Sequence, residues 1–397
     1  MQIGVPAAGY VLAWAKGDRE GAWQLTKVLV STTISAHTFK YLGERGRPDA
    51  SDKRSFPSGH TSAAFSGSEY IRVRYGNAYG IPATVAAAFV GYSRIRANKH
   101  FRDDVLAGMS NGLLWNWFWT TPYEQKIGIK PGKMGDGVGV HVTYDPDAPD
   151  SQNQDYTSRP KMTYTLEYGP VTQDKHLFIN PIATGFPIDL ATAEDEFDIT
   201  SRVTFTHFFR DRHEWSVHLA PMELIEFDPS KVLTEPAEFG GTTFVPQPDT
   251  SFESRYNMID SRFLYRYRLV DTPSWEIRVG GGLQYVETSL DVTQFRGVPK
   301  DNDMFEYARV LVQHFTPMAS LRATYAFNER WRLMGSFDGY GGDDEFTSVG
   351  LVLNWRAAPG WDLGIGARYI SREMSASDTY NKLEAGDFVF NVTHGFF

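Results

Sequence analysis

The feature that most constrains the fold is a change in hydrophobic period near residue 131 of this 397-residue chain. Before that point, apolar residues recur at three- and four-residue spacing, which predicts amphipathic helices. After it, apolar and polar residues alternate, which predicts strands. An all-helical part followed by an all-strand part indicates two domains. The predicted helices span 20–41, 60–75, 78–98 and 103–119, and the clearest strands span 161–169, 198–209, 275–288, 307–315, 320–327, 347–355 and 361–372.

Proline and glycine mark the boundary between the two predicted domains. The Thr121-Pro122 pair ends the last helix, because a residue before proline is disfavoured in helical conformation. The Pro131-Gly132 pair then opens a glycine-rich stretch before the alternating pattern begins. We therefore predict a helical domain at 1–125, a linker at 126–136 and a β domain at 137–397.

The β domain has the pattern of an outer-membrane barrel. We count about 12 candidate strands, the first at 137–144 and the last at 386–397, and most are long enough to cross a membrane when tilted. Short turns alternate with longer polar loops at 145–158, 180–196 and 228–252. Aromatic residues lie near many strand ends, as in the girdles of membrane barrels. These features favour an antiparallel transmembrane β-barrel, and the alternative is a soluble β-sandwich or closed barrel with an apolar core.

Charge is divided unequally along the chain. Residues 1–130 hold 16 basic and 9 acidic side chains, a net charge of +7, whereas the remaining 23 basic and 39 acidic side chains give −16. A basic front part favours anionic ligands such as phosphates. The chain has no cysteine, which excludes disulfide bonds and thiolate metal sites. We expect no nucleic-acid partner.

Three short blocks in the helical part concentrate basic, histidine and acidic residues. In the third block, His100 is followed four positions later by Asp104, and this spacing would place both side chains on one face of a helix. Such a carboxylate can orient one ring nitrogen and leave the other free as a nucleophile. Asp103 has nearly the same spacing, so position alone does not choose between the two. The blocks are KYLGERGRP at 40–48, PSGH at 57–60, and SRIRANKHFRDD at 93–104.

The other residues of the blocks suit the binding of a phosphoryl group. Ser58 and Gly59 precede a predicted helix, and amides at a helix start bind anions, which glycine allows to approach closely. His60 opens that helix and could protonate a leaving oxygen. Three cations could hold the equatorial oxygens, where charge must be stabilised in the transition state. These cations are Lys40, Arg47 and Arg94.

Taken together, the three blocks resemble the three-part signature of the type 2 phosphatidic acid phosphatase (PAP2) superfamily, with every spacing met in the family's order. The resemblance covers about residues 20–120 and implies a helical bundle. It selects Asp104 over Asp103 as the partner of His100. It further implies that His100 attacks phosphorus to form a phosphohistidine, that His60 serves as acid and then as base, and that no metal or cofactor is needed.

Several functions remain open at this stage. The leading expectation is a phosphatase acting on lipid phosphates at the periplasmic face of a Gram-negative outer membrane, with membrane lipid and lipopolysaccharide around the barrel. The helices are shorter and more polar than those of integral lipid phosphatases of the family, so an acid phosphatase acting on small phosphomonoesters is an alternative. A vanadate-dependent haloperoxidase shares the same anion pocket. A non-enzymatic alternative is a pore plugged by the helical domain.

Neighbouring charges need no catalytic explanation. We expect Arg96, Lys99, Arg102 and Asp103 to form a solvated face, which is the usual place for a run of charged residues. Arg45 could widen the positive surface around the blocks, but no motif requires it.

Overall fold

The computed structural model describes most of both predicted domains. The predicted linker at 126–136 and the polar loops at 145–158, 180–196 and 228–252 lie wholly or partly outside the described residues. The described residues are 3–43, 45–49, 51–123, 127–134, 137–144, 159–179, 188–189, 198–228, 236–247, 250–296, 304–376 and 379–397.

Five helices form the front of the chain, and the spacing of apolar residues predicts four of them. Where a helix was predicted, its observed bounds agree within two residues at each end. Among the described residues, no helix is both long enough and apolar enough to cross a membrane. The helices are α1 (Gly4–Ala15), α2 (Arg19–Gly43), α3 (Gly59–Tyr75), α4 (Asn77–Arg96) and α5 (Arg102–Trp119).

Glycines let helix α3 lie very close to two other helices. A Cβ atom on Gly67 of α3 would lie 2.5 Å from the backbone nitrogen of Pro6 in α1. A Cβ atom on Gly112 of α5 would lie 2.7 Å from the backbone nitrogen of Ser66 in α3. Because both distances are much shorter than a van der Waals contact, these approaches require glycine. The packing fixes the axis of α3, whose first turn contains His60.

The chain divides into two compact units that do not follow the chain order. The first unit contains Met1–Thr38, Gly59–Ser93 and Gly108–Ser158. The second contains the segments Phe39–Ser58 and Arg94–Ala107 together with Arg159–Phe397. Two of the three sequence blocks thus lie almost entirely in the unit that holds the barrel strands. The domain bounds of 1–125 and 137–397 stay a prediction.

Ten of the described strands form a closed antiparallel barrel. The strands pair in the order β3, β5, β6, β9, β10, β11, β12, β13, β14 and β15, and β15 pairs back onto β3 to close the sheet. A two-residue strand, β4, extends β3 at one end. Two further pairs, β1 with β2 and β7 with β8, form separate two-stranded sheets. The strands are β1 (Ile127–Met134), β2 (Gly137–Tyr144), β3 (Met162–Ile179), β4 (Ile188–Asp189), β5 (Asp198–Phe209), β6 (His213–Asp228), β7 (Ala237–Phe239), β8 (Thr242–Phe244), β9 (Thr250–Asp271), β10 (Trp275–Arg296), β11 (Met304–Ala326), β12 (Trp331–Tyr340), β13 (Glu345–Ala358), β14 (Trp361–Ala376) and β15 (Thr379–Phe396).

The sequence predicted about 12 strands, and the closed barrel of the described residues has ten. The candidate strand at 137–144 pairs with β1 outside the barrel. The candidates at 307–315 and 320–327 are one continuous strand, β11, which contains Pro317. Proline is tolerated there because β11 pairs with β12 only from Ala319 onward, so the proline lies where one side of the strand has no partner among the described residues.

The barrel wall carries apolar side chains outward, whereas its inward side chains are a mixture of polar and apolar ones. Along β13, Val349 and Leu351 are exposed, whereas Ser348 and Val352 are buried. Other outward positions are also exposed and apolar, and Phe388 keeps 61% of its surface. This pattern is the reverse of a soluble barrel and is typical of strands that cross a membrane. The prediction of an antiparallel transmembrane barrel is confirmed, and the apolar-core alternative is wrong.

Paired charges fill the inside of the barrel. Arg266 donates to Glu214 at 2.8 Å, and Arg262 donates to Asp260 at 2.8 Å and to Asp338 at 3.2 Å. Each of these guanidinium groups thus faces a carboxylate on its own or another strand. Such pairing offsets the cost of removing the charges from water and ties strands together across the interior.

Candidate active site

The structure brings the first and third sequence blocks together in one compact unit. Lys40 lies in the last turn of α2, and Arg47 lies in the loop that follows. Arg94 lies in the last turn of α4, and Asp104 lies in the first turn of α5. His100 precedes α5 in the turn between α4 and α5. The prediction that His100 and Asp104 share a helix face is therefore wrong, although the two side chains do meet.

A helix cap brings His100 and Asp104 together. The backbone N–H of Phe101, just before α5, donates to Oδ2 of Asp104 at 2.9 Å. A carboxylate in the first turn commonly satisfies the amide three residues earlier in this way. The chain must turn before α5, and Asn98 in that turn has a φ of 53° in the left-handed region. Nδ1 of His100 consequently lies 3.5 Å from Oδ2 of Asp104.

The carboxylate of Asp104 is fully buried and held from several sides. Ser55 donates its hydroxyl to Oδ2, and Arg45 donates to Oδ1 at 3.0 Å. Burial would raise the pKa of Asp104, but the Arg45 guanidinium, the neighbouring His100 and the hydrogen bond from Ser55 hold the pKa below its usual value. The side chain is therefore an anion, which can stabilise a positively charged imidazole beside it.

The imidazole of His100 is poised to be neutral with one nitrogen available. Burial lowers the pKa of His100, Asp104 opposes that shift, and the nearby Lys40 and Arg47 add to it. Nη1 of Arg47 lies 3.4 Å from Nε2 of His100. With a proton on Nδ1, facing Asp104, Nε2 presents its lone pair toward this guanidinium. A phosphoryl group bound by Arg47 would meet that lone pair.

Three cations lie in the same region, and Arg47 disfavours the charge of the other two. Burial and then Arg47 lower the pKa of Lys40 to about 8, although Asp104 and Asp52 act in the opposite direction. Burial and then Arg47 likewise lower the pKa of Arg94. An anion placed among these groups would relieve both effects, because it favours the charged form of each cation.

Other contacts fix these cations in place. Arg47 donates its Nε to Asp52 at 2.6 Å and its Nη1 to the carbonyl of Lys99 at 3.1 Å. Lys40 donates to the carbonyl of Arg54 at 2.7 Å. By contrast, the buried Nε of Arg94 has no hydrogen-bond partner among the described residues.

The second block joins the third through its main chain. The buried Ser58 donates its backbone N–H to the carbonyl of Asp104 at 2.9 Å. Gly59 and His60 follow directly as the first residues of α3, so their amides belong to the start of a helix, as the sequence predicts. They lie in the other compact unit, with α3.

Two residues near His100 were missed or misjudged from the sequence. Ser55, which donates to Asp104, was not predicted, although it lies only three positions before Ser58 in the second block. Asp103 was expected on a solvated face, but it is fully buried and accepts a hydrogen bond from Arg45 at 2.7 Å. Arg45 is itself buried and faces inward rather than widening the surface. The available signal was that two adjacent acidic residues, Asp103 and Asp104, needed a cation and that no motif gave Arg45 a role.

No set of three or more histidine, aspartate or glutamate side chains that could hold a metal ion occurs in the part of the chain that the structure describes. The metal-free route implied by the family resemblance stays a prediction.

Comparison with known proteins agrees with the three blocks. The profile of the PAP2 superfamily matches residues 21–127. The lipid A 1-phosphatase of Porphyromonas gingivalis is 40% identical over 78 residues, which are 19% of this chain and 18% of that protein. The match thus spans less than a fifth of the relative's length.

Solved structures similar to each part of the chain were also found. The match to the outer membrane protease OmpT of Escherichia coli covers 59% of this chain and 96% of the OmpT chain, with 8% identity and a TM-score of 0.38. The match to Aquifex aeolicus LpxE covers 30% of this chain and 81% of the LpxE chain, with 24% identity and a TM-score of 0.26. The family assignment depends on the sequence match and the three blocks: residues 21–127 are a PAP2 superfamily domain, followed in the same chain by a closed ten-strand barrel among the described residues.

Proposed function

We propose that this protein is a metal-independent phosphatase that removes a phosphate monoester from a membrane lipid through a phosphohistidine intermediate. The observation that carries the proposal is the pairing of His100 with the buried anion of Asp104 beside three mutually repelling cations. A neutral imidazole with one oriented nitrogen is a nucleophile, and neighbouring cations of which two have no ion-pair partner among the described residues form a site for an anion.

The reaction proceeds in two steps. Nε2 of His100 attacks phosphorus, the bond from phosphorus to the lipid oxygen breaks, and His60 gives its proton to the leaving oxygen. Water then attacks the phosphohistidine, His60 takes a proton from that water, and inorganic phosphate leaves as the N–P bond breaks. Asp104 stabilises the positive charge that His100 gains while its ring carries the phosphoryl group.

The remaining residues hold the phosphoryl oxygens. Lys40, Arg47 and Arg94 neutralise the charge that spreads over the equatorial oxygens in the transition state. Ser58 and Gly59 add donors at the start of α3, where the helix dipole favours an anion. Loss of one such contact lowers the rate more than it lowers affinity for the ground state, because charge on these oxygens peaks in the transition state.

A lipid phosphate is the proposed substrate class for two reasons. The relative with 40% identity is named for its action on lipid A at the 1-phosphate. The outward face of the barrel is apolar, so the chain resides in a membrane where lipid substrates are concentrated. A phosphomonoester on a glycolipid of the lipid A class combines these two features, with the membrane lipid and lipopolysaccharide around the barrel as its source.

The proposed location is the outer membrane of a Gram-negative bacterium. The sequence prediction put the phosphatase in the periplasm, because short turns and chain ends of such barrels lie on that side. However, Ser201 contacts Asp103 of the third block and Glu223 contacts Arg45 of the first block, and both barrel residues lie in the halves of β5 and β6 away from their short connecting turn. A protease site inserted at Asp52 decides between the two sides, since only a periplasmic segment is protected in intact cells.

Phosphate release tests the proposed function. Detergent-purified full-length protein is incubated with lipid A, phosphatidic acid and soluble phosphomonoesters in the presence of EDTA, beside His100→Ala and the control His213→Ala in a barrel turn. We expect release from a lipid substrate by the wild type and by His213→Ala, and none by His100→Ala. Equal release by all three proteins, or none from any lipid, would overturn the proposal, and preference for soluble esters would replace the lipid assignment.

A further inference from the structure

Two polar side chains on the barrel wall contact the segment that contains His100. This segment, residues 98–104, belongs to the same compact unit as the barrel strands. Arg255 of β9 donates Nη1 to the side-chain oxygen of Asn98 at 2.9 Å. Ser201 of β5 donates its hydroxyl to the main-chain carbonyl of Asp103 at 2.8 Å. The two contacts lie on either side of His100 along the chain.

A third contact reaches the anion of Asp104 through Arg45. The buried guanidinium of Arg45 donates Nη1 to Asp103 at 2.7 Å and to Asp104 at 3.0 Å. Its Nη2 donates to the main-chain carbonyl of Glu223 in β6 at 3.2 Å. The same guanidinium lies over the ring of Phe101 at 4.1 Å. A barrel carbonyl therefore helps to set the orientation of the arginine that keeps Asp104 ionised.

The positions of these residues in the barrel wall are unusual. Ser201 lies four residues before the exposed Phe205 in β5, and Arg255 lies eight residues before the exposed Phe263 in β9. Residues an even number of positions apart share one face of a strand, so Ser201 and Arg255 both point to the outward face. Polar groups at such positions are unfavourable in contact with lipid. Ser201 is nevertheless fully buried, because the 98–104 segment covers it. The outward wall thus departs from its apolar pattern where it meets the candidate catalytic segment.

We infer that Ser201 and Arg255 of the barrel are positioning residues for the phosphatase, which act on His100 and Asp104 through the 98–104 segment. This inference rests on the proposed function, and it gives the barrel a role beyond anchoring the chain. The barrel sets the distance between the imidazole and its carboxylate, while the phosphoryl group is bound by other residues. Loss of a barrel contact therefore lowers kcat and leaves KM nearly unchanged.

The test compares matched serine variants of the barrel in full-length detergent-purified protein. Ser201→Ala removes the hydrogen bond to Asp103, Ser201→Thr keeps the hydroxyl, and Ser348→Ala removes a buried serine on the inner face of β13. We expect kcat for lipid phosphate release to fall about tenfold in Ser201→Ala, as one well-placed hydrogen bond allows. Ser201→Thr should restore most of kcat, and Ser348→Ala should match the wild type.

A second measurement needs no phosphatase activity. Amide hydrogen exchange over residues 98–106 reports how firmly the segment is held. We expect faster exchange there in Ser201→Ala and in Arg255→Ala, with α1 unchanged, and wild-type exchange in Ser348→Ala. Unchanged exchange and unchanged kcat in Ser201→Ala would overturn the inference even if the wild type is an active phosphatase. An inactive wild type with loosened exchange in Ser201→Ala would instead refute the proposed function and leave the barrel contact standing.

Discussion

The barrel interior and the candidate active site both bury charge, but they treat it differently. Inside the barrel, Arg266 and Arg262 each face a carboxylate at 2.8 Å. Near His100, Lys40 and Arg94 form no ion pair with a described carboxylate, and their neighbour Arg47 disfavours their charge. Buried charge that is paired holds a scaffold together, whereas neighbouring half-buried cations without a paired carboxylate carry a cost that a ligand of opposite charge offsets. The contrast separates scaffold from site without reference to any relative.

The largest expected effect comes from removing a cation of the site. Arg47→Met should lower kcat/KM for a phosphate monoester about a hundredfold to a thousandfold, as loss of one transition-state donor does in other enzymes. The matched control is Arg96→Met, which removes an exposed arginine at the end of α4 and should keep full activity. Steady-state kinetics of both variants tests this prediction, and equal activity of the two variants would show that Arg47 is not part of the site.

Breaking a pair inside the barrel should have the opposite outcome. Glu214→Gln removes the buried carboxylate that pairs with Arg266, Arg278 and Arg322, and it should lower the free energy of unfolding by about 3 kcal/mol or more. Specific activity of the folded fraction should stay at the wild-type level. Urea unfolding in detergent measures the change against Glu345→Gln, an exposed carboxylate of β13. Loss of activity without loss of stability would contradict the division into scaffold and site.

A smaller effect is expected from the alkaline pH dependence. The pKa of Lys40 is lowered to about 8 by burial and by Arg47, so its charge is present below that pH and is lost as pH rises through it. Arg54 adds to the shift, and Asp104 and Asp52 oppose it. If charged Lys40 binds the phosphoryl group, kcat/KM should fall about fivefold from pH 8 to pH 9.

The conservative variant Lys40→Arg keeps its charge throughout this range. Its pH profile should therefore stay flat where the wild-type profile falls. A wild-type profile without an alkaline limb, or the same limb in both proteins, would show that another group titrates.

Local patterns in the sequence carry much of the architecture. The spacing of apolar residues predicts the helices α2–α5 within two residues, because each helix must bury one face. Alternation predicts the strands, because each wall residue faces either lipid or the interior. The closure of β15 onto β3 and the continuity of β11 through Pro317 depend on strand pairing. No local pattern encodes such pairing, which is why the strand count was too high.

The candidate site, too, could be predicted from the sequence only in part. Family spacing selects His100 and Asp104, and the structure places them 3.5 Å apart even though His100 precedes the helix. Arg45 and Ser55 touch Asp104 from loop positions with no fixed spacing to it, so sequence alone could not assign them. The barrel contact of Ser201 is still more remote, since nearly a hundred residues separate it from Asp103.

The most direct test of the account is to identify the residue that becomes phosphorylated. The wild type and His60→Ala are mixed with radiolabelled lipid phosphate, quenched within milliseconds under alkaline conditions, and digested for mass spectrometry. We predict an acid-labile phosphoryl group on His100 in both proteins, with slower formation and slower hydrolysis in His60→Ala because that variant lacks the acid of the first step and the base of the second. Turnover by the wild type with no label on His100, or with label on another residue, would contradict the account.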